Sequence, residues 1–234
     1  MLYVNADDLG WAKDITDRIL MCYRQGVIFY ASAMTFMKDS ERAADLARQN
    51  SLPVGLHLNF IDDFTGGPVN LALKDQHRSV AAYLKARKFN QILFNPFLHK
   101  AFDYVFQAQW DEFCRLYGKE PSRLDGHHHM HLCMNMLVSG RLPKGLKLRR
   151  NFTFSPGEKD PLNRLYRHLL DRWLTSRFLC TDFFFSIMPC NQGRLKRIVS
   201  MSKLSDVEIM VHPGVRKEYF FLMSHEWATL ISDS

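Results

Sequence analysis

The stretch "PVGLHLNF" (residues 53–60) reads as a β-strand. Val54, Leu56, Leu58 and Phe60 alternate with Gly55, His57 and Asn59, the period of two that a pleated strand imposes. An imidazole therefore stands on the polar face near the strand's end. Working outward, "VIFYASAMTF" (27–36) has the β-branched and aromatic content of another strand, and "DSERAADLARQ" (39–49) between the two opens on capping residues and reads as a helix. Further strands are expected at Leu2–Val4, "SRLDG" (122–126), "LKLRR" (146–150), "DFFFSI" (182–187) and "VEIMVHPG" (207–214). Helical patterns fall near 14–25, 75–88, 97–117, 132–139, 161–177 and 191–202. Strands alternating with helices imply parallel βαβ units and an α/β fold. The periodicity fits a (β/α)-barrel-like sheet, closed or incompletely closed, and an open doubly wound sheet equally well.

No repeat, low-complexity linker or shift of composition interrupts residues 1–234, so a single domain is expected. With 47% hydrophobic residues the chain can bury a sizeable core, yet no apolar run approaches the roughly 18 residues a membrane span needs. The start, "MLYVNADDLG", lacks the basic-then-apolar layout of a signal peptide, and a cytoplasmic location is the expectation. Five dispersed cysteines without a CxxC pair read as reduced thiols. The net charge of +7 gathers in two clusters, Lys144, Lys147, Arg149 and Arg150, then Arg194, Lys196 and Arg197. Without an aromatic RNA-binding signature or a helix-turn-helix pattern, these read as solvated faces, and no nucleic-acid partner is expected.

The acids and imidazoles fall at strand ends. Asp7 and Asp8 follow the first strand, His57 closes on the end of another, Asp125 and His127 follow "SRL", and His212 ends the last. In parallel α/β folds these ends share one rim, where ligands bind. Asp7 and Asp8 diverge if the chain is extended, so one can bind a metal while the other acts as a base; equally, "ADDLG" can be an acidic turn that caps a helix. His57 alone reads more readily as a satisfied core or rim histidine than as a ligand. "LDGHHHMH" (124–131) is stronger. If it is extended, His127, His129 and His131 lean to one side and His128 to the other, so that one or two ligate a metal and the rest hold neighbouring groups or substrate. His212, before Pro-Gly, suits a general acid.

With these residues in hand, the chain resembles the YdjC-like family, which includes chitooligosaccharide deacetylases and hopanoid-biosynthesis-associated deacetylases. "YVNADDLG", "GLHLNF", "LDGHHHMH" and "VEIMVHPG" are similar to its motifs and occur in the same order, with Gly126 where the family has serine. The resemblance implies a (β/α)-barrel-like fold, a divalent metal usually given as magnesium, and removal of an acetyl group from an N-acetylated sugar or oligosaccharide. It places the metal ligands at Asp8, His57 and His127, the base at Asp7 and the acid at His212. Asp125 falls in a supporting position, with His128, His129 and His131 left for support or substrate. Two imidazoles suit zinc or another transition metal better than magnesium. A homodimer is compatible with all of this.

Two other readings compete. A phosphoesterase with two metals would hold phosphate through Arg149 or Arg150 at the rim, and a glycan-binding protein would keep the pocket without turnover. Phe64, Trp110, Phe152 and Phe184 are candidates for stacking on sugar rings, or simply core.

Overall fold

The computed structural model describes residues 1–67, 69–154 and 160–232. The chain runs β1 (Leu2–Leu9), α1 (Lys13–Arg24), β2 (Tyr30–Ala33), α2 (Ser40–Gln49), β3 (Val54–Leu58), α3 (Leu71–Ala86), α4 (His99–Tyr117), β4 (Arg123–Gly126), α5 (Met134–Val138), β5 (Lys147–Leu148), α6 (Pro161–Thr175), β6 (Phe183–Ser186), α7 (Gln192–Met201), β7 (Val207–Val211), α8 (Arg216–Leu222) and α9 (His225–Ser232). Each strand expected from the sequence is present, and β1 runs five residues further than its apolar opening suggested. The pair α8–α9 was not read, because its apolar residues follow directly on the "HPG" turn without a clear start signal.

All seven strands are parallel and lie in the order β5-β4-β3-β2-β1-β7-β6. From β1 to β5 the chain moves outward in one direction. It then re-enters at the far edge with β6 and returns through β7 to β1. A doubly wound sheet would instead place the next strand beside β1 and move away from it. Read as a circle, the order is that of a barrel, and the sheet is a curled half-barrel with its gap between β5 and β6. Thr153 N donates to Phe184 O across this seam at 2.8 Å, and Leu148 N donates to Leu179 O at 2.9 Å, and among the described residues the pairing there is limited to an isolated bridge of Lys147 with Leu179.

The two faces of the curled sheet differ. Val54, Leu56 and Leu58 of β3 join a hydrophobic cluster with buried residues of α1, α2 and α4. Asn5, Asp7, Ser32, His57, Asp125, Arg149 and Glu208 are also buried, yet polar, and they bond to one another. Buried polar groups persist only when paired, and here the pairing is made across the inside of the curl. Gly55 is required by closeness: a Cβ there would meet Arg123 O of β4 at 2.8 Å.

Candidate metal centre

The centre begins with an irregularity in β1. Ala6 pairs with Ala31 and Leu9 with Ala33, so three steps on β1 oppose two on β2. The extra residue is a bulge, and Asp8 takes a left-handed φ of 70°. The divergence expected of two acids on an extended strand therefore does not occur. An oxygen of Asp7 lies within 4.8 Å of His57 and Asp125 ligand atoms, and an oxygen of Asp8 within 4.8 Å of those of His57 and His127. Both acids reach His57.

His57 sits opposite Asp125 in the β3–β4 register. Its Nδ1 is 2.6 Å from Asp125 Oδ1, and its Nε2 is 3.3 Å from Asp8 Oδ1. His127 presents Nδ1 to the same Asp8 oxygen at 3.0 Å, while its Nε2 is 3.0 Å from Asp62 Oδ2. The side chain of His57 is 1% exposed, that of His127 11% and that of Asp8 16%, so the centre is buried on the strand side and open above. Burial alone would lower the His57 pKa, but the charges of Asp7 and Asp125 and the bonds to Asp125 and Asp8 raise it to about 10. Burial pushes the Asp8 carboxyl up, and the His127 and His57 imidazoles outweigh it to hold the pKa below the usual range. Asp125 is held low against its burial by Arg149 and His57.

The histidine cluster is not extended. Residues 127–132 form a tight 3-10 turn in which His128 and His129 have φ of 51° and 60°, so the four imidazoles fan apart instead of alternating. His127 enters the centre. His128, 60% exposed, stands at the rim with Nε2 4.0 Å from Asp62 Oδ2. His129 turns its ring onto Phe152 and Phe184, with centroids 4.7 and 5.7 Å away. His131 is fully buried and donates from Nε2 to Arg149 O at 2.9 Å. Gly126 makes room for it, since a Cβ would lie 3.0 Å from His131 N. Burial lowers the pKa of His128, of His129 more strongly, and of His131 to about 4. These three are neutral near pH 7 and do not repel one another.

Beneath the centre lies an ionic layer. Arg149, 0% exposed, donates to Asp7 from Nη1 and Nη2 at 2.6 and 2.7 Å and to Glu208 from Nε at 2.7 Å, and its Nη2 is 2.9 Å from Asp125 Oδ2. Arg123 pairs with Glu208 as well. Arg149 is therefore a core cation and not the solvated rim residue that its basic run suggested. Arg150 is committed to Asp171 at 2.7 Å and to the carbonyls of Thr181 and Asp182. Neither offers the phosphate clamp expected of a phosphoesterase.

His212 follows β7, one residue beyond the Ala6–Val211 pair and thus beside Asp7. Its backbone N donates to Glu218 Oε2 at 2.6 Å, and its Nδ1 lies 3.6 Å from the same oxygen. Burial lowers its pKa, but the Glu218 carboxylate, with Asp7 and Asp8, raises it overall.

Of the candidate stacking aromatics, Phe184 and Trp110 are core; Phe152 stacks on Phe184 at 4.6 Å and Phe64 lies against His77 at 4.3 Å. The sequence reading missed Asp62, Glu208, Glu218 and Trp11, whose ring is 4.9 Å from that of His127. Glu208 had a signal: it is the one acid in the apolar run "VEIMV".

The sequence profile of the family described as YdjC-like protein matches residues 1–234. A chitooligosaccharide deacetylase of Serratia marcescens is 31% identical over 135 residues, 56% of this chain and 51% of that protein. One of Yersinia pestis (strain Pestoides F) is 32% identical over 136 residues, with the same coverage of 56% and 51%. The match thus spans about half the length of these curated relatives. A crystal structure from Enterococcus faecalis V583, of a protein provisionally assigned to cellobiose-phosphate cleavage, superposes with a TM-score of 0.72 at 18% identity, covering 99% of this chain and 94% of that one. It shares the fold. Among the described residues no helix is long and apolar enough to cross a membrane.

Proposed function

The chain belongs to the YdjC-like family, and we propose that it is a metal-dependent hydrolase that removes acetyl groups from N-acetylated sugars or oligosaccharides. The observation that carries this reading is the convergence of Asp8, His57 and His127 on one point, with Asp7 in an adjoining group that shares His57. The name of the relatives, chitooligosaccharide deacetylase, supports the substrate class.

The donor set fits a divalent ion on two grounds. His57 Nε2 and His127 Nδ1 both face Asp8 Oδ1, an open three-ligand set of the catalytic kind. The charge count agrees. Asp7, Asp8, Asp125 and Glu208 supply four carboxylates against the two guanidiniums of Arg123 and Arg149, an excess of negative charge that draws a proton onto His57 when no ion is bound and that a divalent cation would offset in its place. Magnesium follows from the family; two imidazoles favour zinc or another transition metal.

Such an ion supplies Lewis acidity and lowers the pKa of water. The protein's own groups move the protons. Asp7, its carboxylate oriented by Arg149 and Asn5, takes the proton of the attacking water. His212 is on the same rim, and the Glu218 carboxylate, with Asp7 and Asp8, raises its pKa against burial and so favours the protonated form that a departing amine needs. Amide cleavage needs that donor because an amine anion is a very poor leaving group. Asp125 fixes His57 through Nδ1 and leaves Nε2 for the ion. We assign the protein to the cytoplasm with a sugar substrate and no nucleic-acid partner, and a homodimer is compatible with this. The phosphoesterase reading loses weight because Arg149 and Arg150 are engaged inside the protein. The non-catalytic glycan-binding reading loses weight because a base and an acid flank the donor set.

The test is acetate release from a panel of N-acetylated mono- and oligosaccharides, using chelator-treated protein supplied with magnesium, zinc, manganese or no metal. Metal-dependent acetate, lost in Asp7→Asn and His127→Ala, is the expected result. Folded protein that binds metal yet releases no acetate from any of these sugars would overturn the assignment for that substrate class.

A further inference from the structure

We infer that Asp62 is a positioning residue for metal binding, holding His127 from behind so that Nδ1 faces the ion. It mirrors what Asp125 does for His57, and it rests on the ligand set proposed above.

The two imidazoles are clamped in opposite senses. Asp125 accepts from Nδ1 of His57, which leaves Nε2 toward Asp8; Asp62 accepts from Nε2 of His127, which leaves Nδ1 toward the same oxygen. A neutral imidazole carries its proton on one nitrogen only, and a carboxylate on that nitrogen decides which of the two is free to bind a metal. With an ion in place of the second His57 proton and both rings neutral, the two carboxylates select different tautomers in two rings 5.6 Å apart and aim both lone pairs at one point.

Asp62 is itself held. It lies three residues beyond Asn59, which is fully buried one residue past the end of β3. Asn59 Oδ1 accepts from Ile61 N and Asp62 N at 3.0 and 2.9 Å, and Asn59 Nδ2 donates to Asp62 O at 2.6 Å. The backbone of Asn59 is gripped in turn by Gln109 of α4, whose Oε1 accepts from Asn59 N at 2.7 Å and whose Nε2 donates to Asn59 O at 3.0 Å. A chain of buried amides therefore runs from α4 to the carboxylate behind His127. Lys85 of α3 approaches the other Asp62 oxygen at 3.7 Å and keeps Oδ2 turned inward.

Asp62, His127 and His128 also lie within the range of a metal group of their own. We favour positioning because the Lys85 ammonium opposes a second cation there, and because His127 already directs its other nitrogen to Asp8.

The experiment titrates the chelator-stripped full chain with Co²⁺, followed by its visible absorption, and with Zn²⁺ by calorimetry. The proteins are wild type, Asp62→Ala, Asp62→Asn, Asp62→Glu and His128→Ala. Wild type is expected to bind one equivalent. Asp62→Ala should bind one equivalent roughly 10- to 100-fold more weakly, with an altered cobalt spectrum and an unchanged Tm. Asp62→Asn, which keeps an acceptor without the charge, should fall between, Asp62→Glu should recover part of the affinity, and His128→Ala should behave as wild type. Wild-type affinity and spectrum in Asp62→Ala would overturn the inference. So would two equivalents in wild type with one lost in both Asp62→Ala and His128→Ala, since Asp62 would then be a ligand. Wild type that binds neither ion would instead remove the ligand set itself.

Discussion

The half of the sheet from β7 through β1 to β4 and the half at the β5–β6 seam are built differently. In the first, β3 and β7 are buried over all five residues, and the acids and imidazoles of the centre stand at the strand ends. In the second, β5 has two residues, and α6 buries only Leu174 while Leu162 and Leu169 are 79% and 58% exposed. Yet the seam half supplies Arg149, which reaches across the curl to Asp7, Asp125 and Glu208. This half-barrel therefore does not need its gap closed by strand pairing. A charged layer that must be neutralised pulls the two sides together, and the seam can stay irregular as long as its one long cation arrives.

The largest effect is expected from Arg149→Met. Asp7, Asp125 and Glu208 would each lose a cationic partner inside the protein, and removing one member of a buried ion network costs about 3–5 kcal/mol. Urea unfolding should show that loss, whereas a change below about 1 kcal/mol would mean that the seam does not lock the rim half. The next effect comes from metal. An ion that binds only the folded state stabilises by about 2.7 kcal/mol when present at 100 times its Kd. Chelation should lower the Tm of wild type, and the same treatment should leave the Tm of His57→Ala almost unmoved; equal shifts in the two proteins would detach the ion from this centre.

Much of the first half was legible in the sequence and little of the second. His57 could be read because alternation in "GLHLNF" fixes the strand and its faces, and the strand ends of a parallel sheet share a rim. What escaped were features set by tertiary context. No glycine flags the left-handed turn at His128 and His129, so the cluster read as extended. Asp8 departs from the strand because of a bulge, which leaves no local signature in "NADDLG". Arg149 stands in a basic run whose Lys144 and Lys147 are exposed, and nothing local distinguishes it from them. Asp62 becomes visible only when the β3–α3 connection folds back over His127.

The rim half also responds to pH through His212. His212 has a raised pKa in the folded protein, so the stability it contributes is complete below pH 6.5, its ordinary value, and is lost as the pH climbs through the raised one. If His212 is the acid of the reaction, the alkaline limb of the rate profile follows the same group. Glu218→Gln removes the carboxylate that, after burial itself, acts most on His212, and should move that limb to lower pH. A limb that stays in place would assign the alkaline pKa to another group. The smallest effect is expected at the seam surface. Leu165 of α6 is 55% exposed, so Leu165→Glu removes little buried apolar area and should change stability by no more than about 0.5 kcal/mol. A loss several times larger would show that this face of α6 is covered in solution, and the contrast between an ordered rim and a loosely packed seam would then hold only for the isolated chain.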